Sequence, residues 1–129
     1  MAEPFDVTLG DGDLVSMRLI GSLDSVNFEI LKVQVELAKK LVKTESEKKG
    51  RKLLILFDLS QFTGTYNVGA MLAMKSLEEH NRPYSLKTGV FGGSAAAQVA
   101  AELTLELIHK DNLKLFQTKE EALAWLQEG

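Results

Sequence analysis

The chain contains no cysteine. That absence removes disulfides, thiolate metal sites and cysteine nucleophiles together, and it agrees with a cytoplasmic location. No apolar run is long enough to span a bilayer, and Met1-Ala2-Glu3-Pro4 has neither the basic start nor the apolar centre of a secretory signal. Basic charge is also short. Fifteen Lys and Arg against 18 Asp and Glu leave a formal charge of -3, so no basic field exists to release counterions from phosphates, which argues against a nucleic-acid partner. Repeats, low-complexity tracts and linkers are missing as well. What is present is an ordinary globular mixture, 45% hydrophobic and 26% charged over 129 residues, enough for a single domain across residues 1–129 with a real core.

Along the chain, Phe5, Val7 and Leu9 alternate with polar residues, as do Val15, Met17 and Leu19, around Gly10-Asp11-Gly12-Asp13. This pattern predicts a β-hairpin, ended by Gly21-Ser22. From Val26 to Val42, apolar positions Val26, Ile30, Val33, Leu37 and Leu41 recur at helical spacing, and Leu31, Val35, Ala38 and Val42 widen the stripe. Asp24 or Ser25 suits the first-turn cap. The charged segment Thr44 to Lys52 reads as a solvated connection. Leu53 to Phe57 is a continuous apolar run, as expected of a strand covered on both faces. A helix follows over Val68 to His80, then a strand over Leu86 to Phe91 stopped by Gly92-Gly93. An alanine-rich helix capped by Ser94 reaches Ile108, and a short strand covers Leu113 to Phe116. Thr118-Lys119-Glu120-Glu121 has capping-box spacing and opens a last helix through Trp125 and Leu126. The order is β-β-α-β-α-β-α-β-α, an α/β fold with a mostly parallel sheet and an N-terminal antiparallel hairpin.

The stretches LLILFDLSQFTG, KTGVFGGS and LKLFQTKEEALAWL, within this order of elements, resemble the STAS family and in particular its SpoIIAA-like branch. The resemblance covers nearly the whole chain. Its motifs concern packing and capping and imply the fold. They also imply a regulatory or protein-interaction role without catalysis. In the anti-sigma-factor antagonists of that family, a Ser in an Asp-Ser pair, just before a Gly at the start of the helix after the central strand, accepts phosphate from a kinase. Here the matching stretch reads Tyr66-Asn67-Val68-Gly69, so the resemblance implies a member without the usual phosphoacceptor. Thr63 and Thr65 lie four to six residues before Gly69.

In a parallel sheet, ligands usually bind beyond the carboxyl ends of the strands. The loops expected there carry Asp58, Ser60, Thr63, Thr65, Tyr66, Asn67, Gly92, Gly93, Ser94 and Thr118, beside three helix N-termini that favour an anion. The same residues are also ordinary caps and turn formers. Gly92-Gly93-Ser94 has neither the Lys nor the spacing of a phosphate-binding loop. Asp58 occupies the place of a receiver-domain phosphoacceptor, but the chain begins with a hairpin whose only acidic pair, Asp11 and Asp13, sits in the turn, and a turn-forming or charge-capping Asp accounts for Asp58. His80 and His109 lack partners at ligand spacing, so no metal is expected, and no cofactor is implied. Trp125 reads as a core residue. The helix after Ser94 is apolar beyond the width of one sheet contact, and its flank Ala97, Ala101 and Leu105 is either packed on a neighbouring helix or an interaction surface.

No pair of groups for acid–base catalysis is identifiable. The sequence therefore points to a cytoplasmic, non-enzymatic regulatory or interaction module, its partner a protein or a second copy of itself. The alternative is a carrier or sensor of a small apolar or anionic ligand, resembling lipid-binding folds of the CRAL-TRIO type.

Overall fold

The computed structural model describes residues 4–10, 12–23, 28–99, 102 and 112–128. Strands β1 (Phe5–Leu9) and β2 (Leu14–Leu23) form the hairpin and are followed by helix α1 (Phe28–Lys49), strand β3 (Leu53–Tyr66) and helix α2 (Val68–Asn81). Next come strand β4 (Ser85–Phe91), helix α3, described over 95–99, strand β5 (Leu113–Phe116) and helix α4 (Lys119–Leu126). The five strands lie side by side in the order of the chain. β1 runs antiparallel to β2, and all other neighbours are parallel.

Right-handed crossovers that advance one strand at a time must leave their helices on one face of the sheet. Accordingly, Val15, Met17, Ile55, Phe57 and Val90 pack with Leu31, Val35, Ala38 and Val42 of α1, Ala70, Met74 and Leu77 of α2, and Ala97 of α3. Burying each large aliphatic chain contributes about 1.5–3 kcal/mol. Helix α4 follows the last strand and covers the opposite face, where Ala122 and Leu126 close over Leu56 and Phe91. The two-sided covering explains the uninterrupted apolar run that opens β3.

Three boundaries and the buried face of one helix differ from the sequence expectation. β2 does not end at Gly21-Ser22 but continues to Leu23 through a register shift. Helix α1 extends through Thr44–Lys49, because Ser46 is buried at the foot of the same stripe and Gly50, at φ 68, supplies the left-handed C-cap. β3 runs past Asp58 to Tyr66, so the expected loop from Asp58 is mostly strand. The buried face of α1 is also exchanged. Ile30, Val33 and Leu37 face solvent, while Leu31, Val35, Ala38 and Val42 face the sheet. The latter set continues to buried Ser46, and Leu41, the last of the former, is partly buried against the same core. Asp11, Asp24, Ser25 and Val26 lie outside the described residues. Among those described, no helix is long and apolar enough to cross a membrane.

Candidate functional site

Beyond the last rung shared with β4, where Asp58 lies opposite Phe91, β3 continues with β2 alone. Arg18 pairs with Asp58, but Ile20 pairs with Gln61, so β3 carries one extra residue here, a β-bulge. The bulge takes the Ser60 N–H out of the ladder, and Asp58 Oδ1 accepts it at 2.7 Å. The Asp58 side chain therefore serves a turn-like role within its own strand. Its charge also reaches Arg18. The Arg18 guanidinium is held above its ordinary value first by its hydrogen bond to Asp6, at 2.6 Å, then by the charges of Asp6 and, more weakly, Asp58. After the bulge, Leu59 and Phe62 are buried while Ser60, Gln61 and Thr63 are exposed. Thr65 and Tyr66 form the end of the strand, with Tyr66 opposite Leu23.

Asn67 closes this ribbon and opens α2. Its N–H donates to Leu23 O at 3.0 Å, and its Oδ1 accepts the Ala70 N–H at 2.7 Å, as an N-cap should. Beside it, Val68 is 71% and Leu72 54% exposed. Behind it, the Phe28 ring lies so near Gly69 that a Cβ there would fall 2.8 Å from the ring.

The glycine pair sits elsewhere, beside the bulge. A Cβ at Gly92 would lie 3.3 Å from Ser60 N, and one at Gly93 3.0 Å from Leu59 O. Ser94 Oγ accepts the Ala97 N–H at 3.2 Å, and Gln98 Nε2 donates to Gly92 O. At the β5 end, Thr118 Oγ1 accepts the Glu121 N–H at 3.2 Å while Glu121 Oε1 faces Thr118 N at 3.3 Å, a full capping box. Asp58, Ser60, Gly92, Gly93 and Ser94 thus gather at one corner. Asn67 follows Asp58 by nine residues, over which the paired β2 advances from Arg18 to Leu23, so it stands about 17–20 Å further along the strand direction. The edge is stepped, and each of the three helix starts engages one of its N–H groups with its own cap residue.

Ala97 corrects the expectation of an interaction flank on α3, because it is fully buried in the core under the sheet-facing side of the helix. Val99 is 55% exposed, and Ala101 and Leu105 lie outside the described residues. Trp125 is only partly buried. Its ring packs on Phe116 at 5.7 Å and carries Lys87 Nζ at 4.9 Å and Lys114 Nζ at 5.4 Å over its face. His80 Nδ1 stands 3.1 Å from Asn81 Oδ1, and among the described residues no cluster of three His, Asp or Glu is placed to hold a metal ion. The residues that sequence reasoning passed over are Val68 and Leu72, apolar side chains at a helix start with no polar partner in the pattern to mark them.

A family model described as SpoIIAA-like matches residues 14–127. Among solved structures, the anti-sigma factor antagonist SpoIIAA in its unphosphorylated form is 14% identical with a TM-score of 0.59, covering 97% of this chain and 99% of that one. A Shewanella loihica PV-4 protein of the DUF3478 family with a SpoIIAA-like fold is 15% identical, with a TM-score of 0.60 over 95% and 91% of the two chains. The protein TM1081, solved by NMR, is 16% identical at a TM-score of 0.62, over 100% and 91%. Sequence comparison with curated proteins finds no match. At these identities the likeness is one of fold.

Proposed function

The chain belongs to the SpoIIAA-like family, and from that premise we propose that it is a non-enzymatic regulatory module that presents the start of α2 to a protein partner and works there without a phosphorylation switch. One observation carries this reading. Asn67 holds the cap position with its own amide oxygen, 2.7 Å from Ala70 N, and leaves Val68 and Leu72 exposed on either side of the first turn. A serine-type phosphorylation switch needs a hydroxyl acceptor, and Asn67, Val68 and Gly69 offer none. A phosphate would be electrostatically welcome at a helix start, so the position suits the modification while the residues do not. SpoIIAA itself has been solved in unphosphorylated and phosphorylated forms. For the present chain, apolar contact through Val68 and Leu72 supplies what a charge change supplies elsewhere.

The test is intact-mass analysis and peptide mapping of protein purified from its native cells, together with native mass spectrometry of what accompanies it. The expected result is an unmodified 58–69 segment and a bound protein that is lost from the Val68→Asp/Leu72→Asp variant. Stoichiometric phosphate on Ser60, Thr63 or Thr65, removed by Ala substitution together with the partner, refutes the reading. A retained small molecule in place of a protein favours the carrier alternative.

A further inference from the structure

Helix α1 carries two apolar stripes, and the fold uses one. Leu31, Val35, Ala38 and Val42 are buried against the sheet, whereas Ile30, Val33 and Leu37 remain 45%, 62% and 58% exposed. The neighbours of α1 leave this second stripe open. On one flank Lys39 Nζ reaches Ser76 of α2 at 2.7 Å, and on the other Gln34 Oε1 accepts the Phe5 N–H at 3.1 Å. Along the outer side of the stripe, Glu29, Lys32, Glu36 and Lys40 join Val33 and Leu37 in lining a shallow depression of about 350 Å³.

The order of these four charges identifies what fits. Read along the helix they run negative, positive, negative, positive, and read backwards they run with every sign inverted. A parallel second copy would set like charges against each other, and a uniformly acidic or basic partner would meet the wrong sign at half the positions. An antiparallel second copy, related by a two-fold axis crossing α1 between residues 34 and 35, places Glu29 opposite Lys40. It also places Lys32 within one residue of Glu36, and Val33 within one residue of Leu37. Such an arrangement is isologous and closed, as most homodimers are. We propose that this face of α1 is a self-association surface, on which two copies of the chain pair antiparallel with Ile30, Val33 and Leu37 at the centre and the four charges setting the register.

The paired stretch is short, about 17 Å for residues 29–40, so the dimer is reversible and concentration-dependent, in the class of small transient interfaces. At one end the surface adjoins the start of α2, since Lys32 Nζ lies 4.8 Å from the centre of the Phe28 ring and that ring lies against Gly69.

Glu29 and Lys40 are 11 residues apart on one rigid helix and cannot touch within a chain. Any coupling between them in association is therefore intermolecular, and charge exchange isolates it. Sedimentation equilibrium of the full chain over a concentration series up to about millimolar, the range in which weak pairs populate, is the measurement. Wild type is expected to dimerise. Lys40→Glu and Glu29→Lys, which move the net charge in opposite directions, should each weaken association by about tenfold, two lost cross-pairs with repulsion in their place. The double variant Glu29→Lys/Lys40→Glu should restore it. Val33→Glu/Leu37→Glu should be monomeric with an unchanged circular dichroism spectrum. If that variant misfolds, the charge series alone decides. A wild type that stays monomeric throughout, single charge reversals without effect, or a double variant no better than the singles overturns the proposal.

Discussion

Gly93→Ala separates packing from ligand binding as the reason for the glycine pair. The backbone at Gly93 has φ +90, and at Gly92 φ +82, a region that costs an L-residue about 1–2 kcal/mol. Loss of unfolded-chain freedom on replacing Gly returns about 0.4–1 kcal/mol at either site, so on backbone grounds the two substitutions are alike. Packing divides them. A Cβ at Gly92 meets nothing nearer than 3.3 Å, at Ser60 N. At Gly93 it lies 2.8 Å from Ala97 Cβ and 3.0 Å from Leu59 O, and neither can swing away, one being fixed to a buried helix and the other being backbone. Overpacking of that kind adds about 1–3 kcal/mol. Gly93→Ala should therefore unfold roughly 3–15 °C below Gly92→Ala, taking about 3–5 °C per kcal/mol for a chain of this size. Thermal denaturation followed by circular dichroism reads the difference. Adding Ala97→Gly to Gly93→Ala should recover part of the loss beyond additivity, since the two positions touch. Equal melting temperatures for the two alanine variants would refute this account, and the glycines would then need a ligand at the backbone to explain them.

Thr118→Ala should cost about 1 kcal/mol through loss of the capping box, with Thr118→Ser near wild type; urea denaturation decides, and a neutral Thr118→Ala counts against the cap. Leu31→Ala should destabilise by about 2–5 kcal/mol while Val33→Ala stays within about 0.5 kcal/mol, because one side chain fills the core and the other faces water. A reversed ranking would mean that α1 presents its other stripe to the sheet.

The order of elements was legible because hydrophobic periodicity switches sharply between strand and helix, and because Ser94 and Thr118 cap the helices their spacing announces. The face of α1 was not. With apolar residues at both 30, 33, 37 and 31, 35, 38, 42, periodicity gives the helix but not its rotation, and only the sheet chooses between them. The segment after Asp58 misled for a different reason. Ser60, Thr63 and Gly64 are turn-forming types, yet buried Leu59 and Phe62, followed by Thr63, Thr65 and Tyr66, suit a strand, and the extra residue at the bulge breaks the strict alternation by which a strand is read. Asn67 was visible as a polar residue before a helix. Its distance from Asp58 was hidden, because that distance depends on β3 being extended.

The unequal lengths of the strands divide the sheet into two tiers of protection. Up to Asp58, the amides of β3 sit between β2 and β4, and opening them means breaking the centre of the fold. From Leu59 to Tyr66, β3 has β2 as its strand neighbour, so these rungs open at lower free energy, by fraying from the far end. The last rung is where Asn67 N meets Leu23 O, and Asn67 also caps α2. Fraying of the ribbon and loosening of the helix start are therefore one event. A protein clamped on Val68 and Leu72 would slow amide exchange back along the ribbon as far as the bulge. Conversely, the apparent affinity of such a partner would be scaled down by the fraction of molecules in which that ribbon is open.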